Sequence, residues 1–211
     1  MRATICDFSN AFWLKIVALA SLSVFPLSDA NAVFTWFSSA PVRSLTLRVG
    51  SNTSAVDTVV FDVQNANLAP SPSATTGVPN TSTTLSPVIA NGVDVVVRAA
   101  VRSTDTSRAI GLNLQVSSSA GLTCVSGSGC GSTIIPFNTI SWIAYHHATS
   151  PYETYDIQNG TFNGSTQTLF IFSFSGASFQ TAQALVFSYS NSTLYPAGQY
   201  KGRVTFTTAM P

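Results

Sequence analysis

Charged side chains are the scarcest component of this sequence of 211 residues. They make up 8% of it, against roughly a quarter in an ordinary soluble domain. Nine Lys and Arg stand against eight Asp and Glu, which leaves a net charge of +1. A chain without a basic field lacks the electrostatic attraction that draws proteins to nucleic acid or anionic lipid. We therefore predict no nucleic-acid partner.

Groups suited to catalysis are also few. The two histidines, His146 and His147, precede Glu153 and Asp156 and form the one local concentration of titratable groups. Adjacent residues of a strand point to opposite faces, so both imidazoles reach one metal ion only from a loop. The sequence contains no G-x-S-x-G motif and no phosphate-binding glycine loop. We predict no enzyme, catalytic residue, metal site or cofactor, and interpret His146–Asp156 as an exposed polar hairpin tip.

Paired carboxylates for glycoside cleavage would have to come from a small set of acidic residues beyond the N-terminal segment. Most of them lie on or beside apolar-alternating runs, where a solvent-facing charge explains them. The set is Asp57, Asp62, Asp94, Asp105, Glu153 and Asp156.

A long apolar run is missing except near the N-terminus. Lys15 precedes the apolar stretch Ile16–Leu27, and Ala30–Ala32 is a small-x-small cleavage site. This order is typical of a signal peptide, and the stretch is too short to span a bilayer. We predict that residues 1–32 are a signal peptide and that residues 33–211 form an exported single domain without a membrane span.

Cysteine is almost absent as well. Cys6 lies in the predicted leader, so the exported chain retains only Cys124 and Cys130, in the sequence C-V-S-G-S-G-C. A single pair across a Gly/Ser loop of an exported protein predicts a disulfide bond. Because the closed loop is short, we expect it to stabilise the chain by only about 2 kcal/mol and to fix one hairpin tip.

What the chain has in abundance is alternation of apolar and polar residues. Period-two patterning bounded by Gly, Pro and Asn predicts about eight to ten strands and no helix, hence an all-β sandwich or barrel. Prolines scattered between Asn65 and Asn91 indicate a long or weakly paired segment. The alternating runs are Leu45–Val49, Val59–Val63, Val93–Val101, Ile110–Val116, Phe137–Tyr145, Ile157–Phe162, Leu169–Phe174, Leu185–Tyr189 and Tyr200–Thr208.

Four of these runs carry finer expectations. Val96 and Ala100 interrupt the polar face of Val93–Val101, which predicts a central strand buried on both faces. The apolar residues of Leu169–Phe174 occupy both faces, so that strand is also expected to be covered twice. The runs Leu185–Tyr189 and Tyr200–Thr208 flank Asn and Pro-Ala-Gly turn signals and are predicted to form a strand pair.

The last run carries a resemblance to a known family. Residues 195–207 read Y-P-A-G-x-Y-x-G-x-V-x-F-T, behind a predicted secretion signal and on an all-β chain. This ending resembles that of chaperone–usher pilus subunits, nearest to the spore-coat-U-like, archaic type. The resemblance implies an immunoglobulin-like β-sandwich that is incomplete and is completed by a donor strand. It also implies that the C-terminal strand borders the groove, with the wall residues Tyr200, Val204, Phe206 and Thr208.

The same resemblance assigns a role to the apolar segment after the leader. Residues 33–41 are the implied donor strand, which enters the groove of a neighbouring subunit by strand addition. One face of this strand would enter the neighbour's groove. That face is either Phe34 and Trp36 or, on the opposite side, Val33, Thr35 and Phe37. A first strand that pairs within its own sandwich is the alternative.

The implied partners are a periplasmic chaperone, an outer-membrane usher and neighbouring pilus subunits. The implied location is the periplasm in transit and then the cell surface. A different class of function also fits the sequence, namely a self-contained secreted binding module for a glycan or a surface partner. In that case aromatic residues would form a sugar-stacking surface. The candidates are Trp36, Trp142, Tyr145, Tyr152 and Tyr155.

Overall fold

A computed structural model describes six stretches of the chain, residues 43–51, 57–68, 71–101, 109–147, 156–175 and 178–211. All of them lie in Asn31–Pro211, the second of the two units into which the chain divides. The predicted signal peptide and the implied donor strand at residues 33–41 lie outside the described residues.

The described residues form strands, joined by turns and by two single-turn 3₁₀ segments at Asn65–Asn67 and Phe137–Thr139. The all-β, sandwich-like prediction is therefore confirmed. The strands are β1 (Arg43–Val49), β2 (Val59–Val60), β3 (Thr75–Thr76), β4 (Val78–Pro79), β5 (Gly92–Val101), β6 (Ile110–Ser117), β7 (Leu122–Cys124), β8 (Ile134–Ile135), β9 (Ile140–His146), β10 (Gly160–Thr161), β11 (Thr166–Phe174), β12 (Ser178–Tyr189), β13 (Tyr200–Lys201) and β14 (Thr205–Ala209).

Two sheets build the sandwich. The large sheet has the order β1-β5-β12-β9-β10, with β3 also paired to β12. The small sheet has the order β11-β6-β14. All of these pairings are antiparallel. Antiparallel strands that are apolar on one side bury that side against a second sheet, which is the reason for the two layers.

The core lies between the two sheets. Val95 and Val97 of β5 and Leu112 and Leu114 of β6 are at most 1% exposed. Aromatic side chains fill much of the remaining space, and the rings of Phe172 and Phe179 have centroids 4.1 Å apart. Aromatic pairs at such distances add to the stabilisation that burial alone supplies.

Two smaller sheets complete the fold. β13, β7 and β8 form a three-stranded sheet, and β2 pairs with β4. The disulfide Cys124–Cys130 closes the connection between β7 and β8, with Cα atoms 5.7 Å apart. The structure thus contains the predicted bond at the predicted hairpin tip.

Three finer strand predictions are corrected by the structure. In β5, Val96 is buried but Ala100 is exposed, so the strand is covered on both faces only over its first half. In β11, Ile171 is 73% exposed, and the strand is covered on one face only. A register irregularity between Thr168 and Phe170 explains that error, because it moves Leu169 to the core side and shifts the alternation by one residue.

The predicted pairing of Leu185–Tyr189 with the C-terminal run is also wrong. The first run belongs to β12, which is buried along most of both faces and pairs with β5, β9 and β3 instead. The second run is split into β13 and β14, which belong to different sheets. Gly202 lies at the break, where a Cβ atom would come within 2.6 Å of the Gly121 carbonyl oxygen. Only glycine permits this close approach between the two segments.

Candidate functional site

The two edges of the sandwich that lie nearest the chain ends approach each other. β1 is the first strand of the large sheet and β14 is the last strand of the small sheet. The two strands contact each other, but within the described residues no ladder of hydrogen bonds joins them. We call this region the seam and define it as Arg43–Val49 together with Thr205–Ala209. In the part of the chain that the structure describes, β1 has one strand neighbour, β5, and β14 has one, β6. The second side of an edge strand presents backbone N–H and C=O groups with which a further strand can pair.

Apolar side chains at the seam are only partly buried, in contrast to those of the central strands. On β1, Leu45 and Leu47 face the core because they pair with the core-facing Ala99 and Val97. On the opposite side of the seam, Phe206 packs against the same core and is also only partly buried. Val49, Val204 and Met210 share this state. The seam is therefore a place where further apolar surface can be covered.

A narrow apolar cleft begins beside Phe206. Its empty volume is about 130 Å³, including the part open to solvent, and its walls come from both sheets. The walls are apolar, and the side chains stand too close together to admit even a water molecule, so this space belongs to the packing between the sheets and is not itself a binding site. Its lining residues are Val116, Trp142, Phe162, Leu169, Leu185 and Phe206.

The structure divides the predicted wall residues between two places. Phe206 and Thr208 lie in the seam and Val204 directly precedes it, and the Thr208 hydroxyl donates a hydrogen bond to the Asn113 carbonyl oxygen at 2.7 Å. Tyr200 lies instead on β13, opposite Cys124 of the disulfide hairpin. Its hydroxyl donates to the Pro196 carbonyl oxygen at 2.8 Å, within the Y-P-A-G sequence.

The seam includes one wall that the sequence reasoning did not assign. Leu45, Leu47 and Val49 were recognised as a strand but not as part of a site. The position of Leu45–Val49 as the first strand of the described chain could have indicated this role, because first and last strands often lie at the edges of sheets.

The two histidines point to opposite faces of the large sheet. His147 is 0% exposed, and its Nε2 atom lies 3.1 Å from the Asp94 carboxylate. Asp94 is itself only 2% exposed. Arg48 donates to the other carboxylate oxygen at 3.3 Å, and the Thr84 amide and hydroxyl donate to it at 2.9 and 3.1 Å. The prediction that this segment is an exposed tip is thus wrong for His147, and Asp94 is not solvent-facing.

His146 lies on the core side of the same sheet. Its Nδ1 atom is 2.6 Å from the Asp156 carboxylate, which also accepts hydrogen bonds from Thr181 and from Gln183. Glu153, which the sequence placed in the same cluster, lies outside the described residues.

These polar contacts favour a structural role for both carboxylates. Asp94 accepts four hydrogen bonds and is shielded from solvent, so it is poorly placed to accept a proton from a substrate. The Asp156 carboxylate contacts His146, Thr181 and Gln183. The Thr181 hydroxyl donates its hydrogen bond to this carboxylate and not to a histidine, so it is not arranged as a nucleophile with an imidazole base. A buried charge that is paired and hydrogen-bonded is costly to disturb but need not do chemistry.

Two further kinds of site are absent from the described residues. No group of three or more His, Cys, Asp and Glu side chains in these stretches is arranged to hold a metal ion. No helix within them has the length and hydropathy to cross a membrane. Of the candidate sugar-stacking residues, Trp142 is 4% exposed and packs in the core, whereas Tyr145 is 41% exposed. Trp36, Tyr152 and Tyr155 lie outside the described residues.

We compared the chain with protein-family models, with curated proteins and with solved structures, and none of the three comparisons returned a match.

Proposed function

We propose that this protein is a structural subunit of a surface pilus, exported to the periplasm and assembled by strand exchange. The observation that carries the proposal is the seam. Two strands that each have a single neighbour among the described strands, and that carry half-buried apolar residues, lie next to each other, and one of them is the C-terminal strand named by the Y-P-A-G-x-Y-x-G-x-V-x-F-T resemblance. In this proposal the sandwich is an incomplete immunoglobulin-like fold whose missing strand enters at the seam.

The physical basis of assembly would be β-strand addition. An incoming extended segment gains main-chain hydrogen bonds from the free side of β14, and these bonds fix its register. Its alternate side chains cover Phe206 and the residues of β1, and fully burying one large apolar side chain is worth roughly 1.5–3 kcal/mol. The segment of this chain with suitable chemistry is residues 33–41, which is apolar and uncharged.

A periplasmic chaperone and an outer-membrane usher are the partners that this proposal requires. Exposed sheet edges with apolar surface favour aggregation, so a subunit of this kind needs a temporary strand before it meets its neighbour. The low charge of the chain increases that need, because a net charge of +1 provides little repulsion between copies.

Semi-native gel electrophoresis tests the proposal. We expect surface extracts from cells that express the chain with its chaperone and usher to give a ladder in SDS, which collapses to monomer on boiling. Deletion of residues 33–40 should abolish the ladder and leave the chaperone complex intact.

A matched pair of point variants locates the effect at the seam. Phe206→Asp places a charge on the core side of β14 and should abolish the ladder. Thr207→Asp places the same charge on the exposed side of the same strand and should leave it intact. A single monomer band from the unaltered chain, boiled or not, would rule out strand exchange and leave the secreted binding module as the alternative.

A further inference from the structure

The outer side of the small sheet differs chemically from the outer side of the large sheet. The strand register aligns two rows of side chains across β11, β6 and β14 on the side that faces away from the core. We call these two rows the hydroxyl face. They are Thr166, Ser117 and Thr205 in one row, and Thr168, Gln115 and Thr207 in the other.

No residue of the hydroxyl face is charged, and the outward residues that continue it within β11, β6 and β14 are uncharged as well. The exposed Arg203 lies two residues before Thr205, outside the two rows. The four threonines are exposed, and the neighbouring Ile171 is 73% exposed. The outer side of the large sheet is different, because it carries the exposed Arg98 and the pair Arg48–Asp94. Two copies that meet through the hydroxyl face therefore bring no like charges together.

Hydrogen-bonding chemistry points to the same partner. A hydroxyl both donates and accepts, and so does a carboxamide, so a face built of Thr, Ser and Gln is complementary to itself. An isologous contact places the same patch of two copies against each other and needs this kind of self-complementarity. We propose that the hydroxyl face is a lateral contact site for a second copy of this chain.

The size of the face decides how strong this contact is. Three strands about 4.8 Å apart and two rows about 7 Å apart along β6 give a patch of roughly 14 Å by 14 Å once the width of the side chains is included. Two such patches bury on the order of 400 Å² in total, which is well below the size of a stable dimer interface. A pair of free copies therefore associates weakly and reversibly. Many copies held in a row gain by avidity, so the contact matters where the chain is displayed in an array.

The experiment displays the full chain at high density on microspheres and measures their clustering by light scattering. The contact itself does not depend on strand exchange, and clusters that persist in cold SDS are counted as strand exchange and excluded. We expect the unaltered chain to cluster the microspheres. We expect Thr166→Lys combined with Thr207→Lys to reduce clustering roughly tenfold or more at low salt, since facing like charges are unfavourable and tenfold corresponds to about 1.4 kcal/mol.

Two conditions that should restore clustering distinguish a lost contact from a misfolded variant. Raising the salt to 1 M shortens the Debye length to about 3 Å and should restore clustering of the lysine variant. Mixing it with microspheres that carry Thr166→Glu and Thr207→Glu should restore clustering at low salt, although neither variant clusters alone. Thr76→Lys, on the outer side of the large sheet, is the matched control and should cluster as the unaltered chain does.

Three results would overturn the proposal. They are absence of clustering by the unaltered chain, clustering by the lysine variant at low salt, and absence of clustering in the lysine–glutamate mixture. A failed proposal for strand exchange would appear separately, as loss of the SDS-resistant ladder in the same preparations.

Discussion

The centre of the sandwich and its seam use the same residue types to different ends. Leu112, Leu114 and Val116 on β6 are each at most 1% exposed, because β6 has a neighbour on both sides and a sheet above it. Leu45 and Phe206 have similar side chains but lie on edge strands, where they are only partly buried. Apolar content therefore does not distinguish a fully buried residue from a half-buried residue of the seam in this fold. Position relative to the sheet edge does.

The largest effect expected comes from Asp94, the buried carboxylate on the outer side of the large sheet. Asp94→Ala removes the carboxylate that Arg48, Thr84 and the fully buried His147 share, and it should lower the free energy of unfolding by about 3–5 kcal/mol. Urea denaturation of the monomer measures this loss. Asp62→Ala removes an exposed carboxylate and should change the free energy by no more than about 0.5 kcal/mol. Equal losses in the two variants would contradict the structural role of the Asp94 cluster.

A matched pair of truncations compares centre and seam directly. Leu114→Ala should cost the monomer about 2–5 kcal/mol, because the side chain is completely buried. Phe206→Ala should cost the monomer roughly 1 kcal/mol, since only part of a ring worth about 1.5–3 kcal/mol is covered. In the polymer the order should reverse, with Phe206→Ala weakening the SDS-resistant ladder more than Leu114→Ala does. If Leu114→Ala had the larger effect on both the monomer stability and the SDS-resistant ladder, the seam would not be covered on assembly.

The disulfide provides a smaller and more local effect. Replacing both Cys124 and Cys130 by serine should lower the free energy of unfolding by about 2 kcal/mol, as expected for a short closed loop. The SDS-resistant ladder should remain, because the hairpin of β7 and β8 is not part of the seam. Loss of the ladder at unchanged monomer stability would show that the assembly surface extends to the tip.

The smallest effect concerns alkaline pH. Burial, together with the charges that Tyr195 and Tyr200 can carry, raises the pKa of Tyr189 above its ordinary value of 10.0. A folded-state pKa that is raised means that the folded protein holds this proton more tightly than the unfolded chain does. The resulting stability is complete below pH 10.0 and is lost as the pH rises through the folded-state pKa. Tyr189→Phe should flatten this part of the stability–pH curve measured by urea denaturation, and an unchanged curve would contradict the assignment.

Much of the fold could be predicted from the sequence, because burial imposes a period of two on each strand. Ile110–Val116 and Leu45–Val49 are strands in the structure, as their alternation indicates, and Cys124 and Cys130 are joined as their spacing indicates. The errors occur where tertiary context overrides the local pattern. The irregularity at Leu169 reverses the faces of β11, and Gly202 ends β13 against the Gly121 carbonyl.

The candidate site was only half predictable for a related reason. Phe206 and Thr208 were named through a resemblance in the C-terminal run, but nothing local marks Leu45 as their counterpart across the seam. That relation depends on which strands lie at the edges, and strand order is a long-range property. The buried pairing of His147 with Asp94 likewise joins residues distant in the sequence.

Amide hydrogen exchange at the seam tests the account most directly. The measurement uses the chain without residues 33–40, before and after addition of a peptide with the sequence of that segment. We predict that the peptide slows exchange at Thr205–Ala209 and Arg43–Val49 and leaves the central strands β5 and β6 unchanged. Slowed exchange elsewhere, or no change at either strand of the seam, would contradict the claim that the seam accepts a donor strand.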